Sequence, residues 1–84
     1  MNHFVVPQFW ECYSRLSPAV RQLADKCYEL MKEDPRHPSI RLKKVGPYYA
    51  ARIGLHHRAL AVKAPNGLVW FWIGSHAEYD QLIG

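Results

Sequence analysis

Long apolar runs are missing from this 84-residue chain. No stretch approaches the roughly 18 residues that cross a bilayer, and the start does not read as a signal peptide. A cytoplasmic protein with no membrane contact is the expectation. Cysteine is scarce: Cys12 and Cys27 stand alone, outside any C-x-x-C pair, in stretches that read as helix. That excludes a disulfide framework, and both thiols read as small apolar residues of a reducing compartment. Metal-ligand spacing is also missing. His37, His56, His57 and His76 show no zinc-type pattern, so neither a metal nor another cofactor is expected. There is no repeat, linker or low-complexity segment. Acidic residues are the minority: seven against eleven Lys and Arg, for a formal charge of +4. A moderate basic bias suits a polyanionic partner, although a basic soluble protein without one has the same composition.

What is present is enough for a core. The chain is 49% hydrophobic and 21% charged, which places it among folded domains, and its length allows one domain spanning residues 1–84. Asn2 to Val6 is a short apolar run stopped by Pro7 and reads as a strand. Phe9, Cys12, Tyr13 and Leu16 give a first helical face. Ser17-Pro18 restarts a helix, serine capping free amides and proline fitting the first turn. Val20, Leu23, Cys27, Leu30 and Met31 recur at spacings of three and four, leaving Arg21, Gln22, Lys26 and Glu29 for solvent. Asp34-Pro35 ends that helix. From Ile40 the period changes to two: Ile40–Val45, Tyr48–Ile53, His57–Lys63 and Leu68–Ile73 read as strands joined by turn-forming residues. Ser75-His76-Ala77-Glu78 matches a capping box that opens a short last helix. The expected architecture is α+β: an N-terminal helical hairpin packed on a small antiparallel sheet, closed by a short C-terminal helix.

The chemistry-bearing groups gather in the second half. Arg58 shares a side of its strand with Leu60 and Val62, where an arginine is costly unless it meets an anion or reaches the rim. Arg52 lies across the turn from Arg58, so the two can flank one phosphate; a solvated strand-end arginine is the plain alternative. His76 opens the last helix and can exchange a proton near neutral pH. Tyr79 follows three residues later on the same helical face, where core packing is the alternative role. Arg41, Lys43 and Lys44, with Arg36 before them, form a basic edge suited to tracking phosphates, and also to guarding an edge strand. Trp70, Phe71 and Trp72 are consecutive and so address both sides of the sheet. Fixed cations beside a proton donor and acceptor are what metal-free RNA cleavage requires.

In order and spacing, these segments resemble the RelE/ParE superfamily of bacterial toxins. The likeness runs from the Leu16-Ser17-Pro18 break through Asp34-Pro35-Arg36-His37-Pro38-Ser39-Ile40-Arg41-Leu42-Lys43-Lys44-Val45. It continues over the arginine-bearing hairpin to Arg58 and closes on Trp72-Ile73-Gly74-Ser75-His76-Ala77-Glu78-Tyr79. The resemblance implies a type II toxin that pairs with an antitoxin protein and cleaves messenger RNA on the ribosome without a metal. It implies catalytic roles for Arg58, Arg52, His76 and Tyr79, while RNA-binding roles for Arg41, Lys43, Lys44 and Lys63 are expected from their charge. Ala77 stands where many members carry arginine, and Tyr49 and Ala51 stand where RelE carries lysines, which brings a HigB-like set using histidine closer. Two alternatives share the fold: a ParE-like poison of DNA gyrase, and a non-catalytic protein that only binds its antitoxin.

Overall fold

The computed structural model describes residues 2–83. In chain order the elements are β1 (Asn2–Val5), α1 (Pro7–Ser14), α2 (Pro18–Glu33), β2 (Lys43–Val45), β3 (Tyr48–Ile53), β4 (His57–Ala64), β5 (Gly67–Ser75) and α3 (His76–Ile83). The α+β class and this order agree with the sequence. The sheet, however, is mixed rather than antiparallel. Its strand order is β1-β5-β4-β3-β2, and while β2 to β5 form the antiparallel meander, β1 runs parallel to β5, from Asn2 opposite Gly67 to Val5 opposite Trp70. Alternation fixes which side chains share a face but carries no information about the direction of a neighbour. A first strand followed by helices can reach the far edge of a meander in either sense.

Local chemistry sets the helix ends. Pro7 occupies the first turn of α1, where its missing N–H costs nothing, and Ser17 caps α2 by accepting the Val20 amide at 3.3 Å. The two helices are tied by Tyr13, whose hydroxyl donates to Asp25 at 2.8 Å. The helical period assigns Arg21 to solvent; instead its Nη1 donates to the carbonyls of Leu16 at 2.8 Å and Ser14 at 3.3 Å, satisfying acceptors left open at the α1–α2 turn. The buried stripe of α2 is Ala24, Cys27 and Met31, with Leu23 left 37% exposed. Both cysteines are free thiols. Burial raises the pKa of the Cys27 thiol, which keeps it protonated and inert.

Each face of the sheet carries its own apolar cluster. Under α1 and α2 lie Ala51, Ile53, Ala59, Ala61, Leu68, Trp70 and Ile73; on the opposite face Ala50 and Leu60 pack under Tyr79 of α3, with Phe71, Trp72 and Ile83 around them. Small residues at Ala24, Ala51 and Ala59 leave an apolar cavity of about 160 Å³ beneath the helices.

Two irregularities interrupt the strand pattern. The strand expected from Ile40 begins only at Lys43, because Arg41 takes a left-handed φ of 49° that no extended ladder accommodates. Ile40 stays buried, its carbonyl accepting the Arg52 amide at 2.6 Å. In β5, Ala61 pairs with Trp70 while Leu60 pairs with Trp72, so Phe71 is an extra residue with no partner. This bulge breaks the two-residue alternation. Trp70 enters the core under the helices, and Phe71 and Trp72 both turn to the face that α3 covers.

Candidate functional site

Arg52 and Arg58 are register partners on β3 and β4, and Gly74 of β5 completes their row. Ala50 and Leu60, two positions along from each, belong to the cluster under Tyr79, so alternation puts both guanidinium side chains on the α3 face. Both are half-buried. Arg52 Nε donates to the Gly54 carbonyl at 3.1 Å and Arg58 Nη1 to the His57 carbonyl at 2.8 Å. Each guanidinium has five N–H donors, so one such bond leaves most of them for another acceptor. Neither arginine forms an ion pair among the described residues. The β3–β4 turn that holds the pair depends on Gly54, whose φ of +63° suits glycine and whose missing Cβ leaves room for Leu23 of α2.

α3 brings His76 and Tyr79 to this face. Its start is the capping box read from the sequence: the Ser75 amide donates to Glu78 Oε1 at 3.1 Å, the Ser75 hydroxyl at 3.0 Å, and the Glu78 amide donates back to Ser75 Oγ at 3.2 Å. Those bonds hold the Glu78 carboxyl below its usual pKa. His76 follows at the first helical position, its amide tied to the His56 carbonyl at 2.7 Å. Its imidazole lies 3.2 Å from Asp80 through Nδ1, and Nε2 has no hydrogen-bond partner among the described residues. Asp80 is one helical turn on, an i,i+4 spacing that is present in the sequence but masked there by the overlapping capping box. Tyr79 is 5% exposed and packs on Ala50 and Leu60, its ring centroid 5.9 Å from that of His76.

No family model matches this sequence, and no curated protein matches it. Solved structures do. A chain of the RelB–RelE antitoxin–toxin complex from Methanococcus jannaschii superposes with a TM-score of 0.74 at 10% identity, covering 96% of this chain and 99% of that one. The fold is that of the RelE-type toxins. A copper-bound mutant toxin from Helicobacter pylori matches with a TM-score of 0.59 at 18% identity, over 93% of this chain and 97% of the other. A chain of the YoeB–YefM complex from Staphylococcus aureus gives 0.55 at 24% identity, over 90% and 97%.

On this RelE-type scaffold the remaining basic residues separate. Lys43 pairs with Ala50 and so lies on the α3 face, one row from the arginines. Lys44 pairs with Tyr49 and Lys63 with Leu68, both of which pack on the cluster under the helices, so these two lysines belong to the opposite face. Arg41 is exposed in the segment before β2. The sequence suggests one basic row; the register brings together only Arg52, Arg58 and Lys43. Among the described residues no three His, Cys, Asp or Glu side chains converge as a metal site. No helix among them is long and apolar enough to cross a membrane.

Proposed function

We propose that this chain is the toxin of a type II toxin–antitoxin pair and a metal-independent, ribosome-dependent endoribonuclease acting on messenger RNA. The observation that carries the proposal is the unpaired Arg52–Arg58 couple on the face where α3 presents His76. The RelE-type fold supports it, one structural neighbour coming from an antitoxin–toxin complex and another from the YoeB–YefM complex. In this mechanism His76 Nε2 takes the proton of a ribose 2′-hydroxyl as its oxygen bonds to phosphorus. The bond to the 5′-oxygen breaks, leaving a 2′,3′-cyclic phosphate. Tyr79 is the second proton group on this face and delivers a proton to the departing 5′-oxygen, which becomes a hydroxyl. The two arginines stabilise the charge that builds on the phosphorane oxygens, a task their planar forks suit. Arg41, Lys43, Lys44 and Lys63 steer the polyanion, Lys43 from beside the site. A cognate antitoxin would silence the protein by covering the same cations.

A reconstituted translation reaction tests this. Wild-type protein should cut messenger RNA on the ribosome, and Arg58→Ala should not, while melting at an unchanged temperature. Inhibition of gyrase supercoiling without any RNA cleavage would overturn the proposal in favour of a non-hydrolytic poison.

A further inference from the structure

β1 ends opposite Trp70, and beyond that residue the outer edge of β5 has no strand neighbour among the described residues; α1 packs along it instead. Between the end of α1, the start of α2, β5 and α3 this leaves a cleft of about 350 Å³, lined by Arg15, Ser17, His57, Trp72, Gly74 and Glu78 among others. Its volume falls within the roughly 300–1,000 Å³ that small-ligand sites occupy, whereas the apolar cavity under the helices is half that size. Several of its groups are already committed. Ser17 Oγ caps α2, and Ser75 and Glu78 Oε1 cap α3. The Arg15 guanidinium and the His57 imidazole carry no hydrogen bond or ion pair among the described residues.

Three kinds of group converge there. The bulge at Phe71 turns Trp72 away from the core under the helices, and its indole lies so close over Gly74 that a Cβ at that position would collide with the ring and meet Glu78 Oε1 at 3.0 Å. Glu78 is held ionised mainly by its hydrogen bonds from Ser75, and the same cleft is lined by Arg15 and His57. An aromatic face, an acceptor with a spare oxygen, and the N–H groups of an arginine and a histidine beside them match the base plane, base-edge N–H donors and phosphate of one unpaired nucleotide.

We infer that this cleft binds a single unstacked nucleotide of the RNA, flanking the phosphate held by Arg52 and Arg58. It rests on the nuclease proposal and extends it to a position next to the cut. The two sites adjoin through Gly74, which lines the cleft and is the strand partner of Arg58, one strand spacing of about 4.8 Å away. Trp72 stacks on the base, Glu78 accepts from its edge, and Arg15 with His57 holds its phosphate.

The test is binding without ribosomes: a short, unstructured, fluorescein-labelled RNA titrated by anisotropy across a salt series. Arg15→Ala should lower the slope of log affinity on log salt by roughly 0.7, the loss of one single-strand phosphate contact. Trp72→Leu should weaken binding about fivefold or more, and Trp72→Phe should restore most of it, with thermal melts confirming that each variant folds. Affinity and slope unchanged in both Arg15→Ala and Trp72→Leu would overturn the assignment. So would an acidic peptide whose binding depends on Arg15 while RNA binding does not, since the cleft would then serve a protein partner. RNA binding that depends on Arg15 and Trp72 in a protein that cuts nothing keeps the cleft and removes the nuclease. Cleavage by a protein whose RNA binding ignores both residues does the reverse.

Discussion

Arg52 and Arg58 stand directly opposite one another across β3 and β4, two like charges in register with no carboxylate paired to either among the described residues. Such a pair opposes folding by roughly 0.2–1 kcal/mol, so its position is better explained by an anion than by stability. Arg58→Ala is therefore expected to leave the melting temperature unchanged or slightly raised, while ribosome-dependent cleavage falls about 10²-fold or more. Arg58→Lys should recover little, because an ammonium cannot reproduce the planar fork. A strong loss of stability in Arg58→Ala would show that the arginine serves the fold instead.

Asp80 orients His76 across one turn of α3. The pair is largely exposed, worth at most about 0.5 kcal/mol to stability, so its replacement tests chemistry rather than folding. His76→Ala should reduce cleavage by about 10²-fold. Asp80→Asn should reduce kcat by a smaller factor with no change in melting. Full activity in both variants would move the proton transfer elsewhere.

Tyr79 combines a buried ring with a phenol beside His76, and two substitutions separate those roles. Tyr79→Ala empties the space over Ala50 and Leu60 and should cost about 3–5 kcal/mol, measurable by denaturant unfolding. Tyr79→Phe should keep that stability and lose cleavage. A fully active Tyr79→Phe would reduce the residue to packing.

The Ser75–Glu78 capping box holds the start of α3, and with it His76. Ser75→Ala should cost about 1 kcal/mol, a fall of about 4–8 °C in melting temperature for a domain of this size. Because the folded pKa of Glu78 is depressed, chiefly by Ser75, its contribution is present above the unfolded carboxyl pKa of about 4.3 and is lost as pH falls through the lower folded value. Glu78→Gln should flatten the melting profile in that acid range.

His3 predicts a second pH effect, far from the site. Its Nδ1 accepts the Trp70 indole N–H at 3.1 Å, its Nε2 is buried without a partner among the described residues, and burial lowers its pKa. An unfolded histidine takes up a proton near about 6.5 while the folded one resists, so stability present above that pH is lost as it falls toward the folded value. Melting temperatures at pH 7 and pH 5 should differ less in His3→Phe than in wild type, even though that variant is less stable at pH 7 for want of the Trp70 acceptor.

Much of the architecture was legible because its signals are local. Pro7, Ser17-Pro18 and Asp34-Pro35 mark helix boundaries through backbone chemistry that acts within a turn, and the Ser75–Glu78 box forms as its spacing suggests. The opposition of Arg52 to Arg58 was also legible, since a short turn fixes the register of the strands beside it. The parallel pairing of β1, the bulge at Phe71 and the left-handed Arg41 were not. Each is settled by what lies across the sheet, and no neighbour in sequence reports it.

The candidate site divides along the same line. The residues alone say which groups are available: two arginines around one turn, and a histidine and tyrosine on one helix. Strand register and packing set which of them meet, keeping Lys43 beside the arginines, sending Lys44 and Lys63 to the other face, and turning Trp72 toward a cleft that Arg15 and His57 reach from separate elements. The reason is that alternation assigns a face only while the period holds and the neighbour is known, and in this sheet a single extra residue changes the first and a parallel edge strand changes the second.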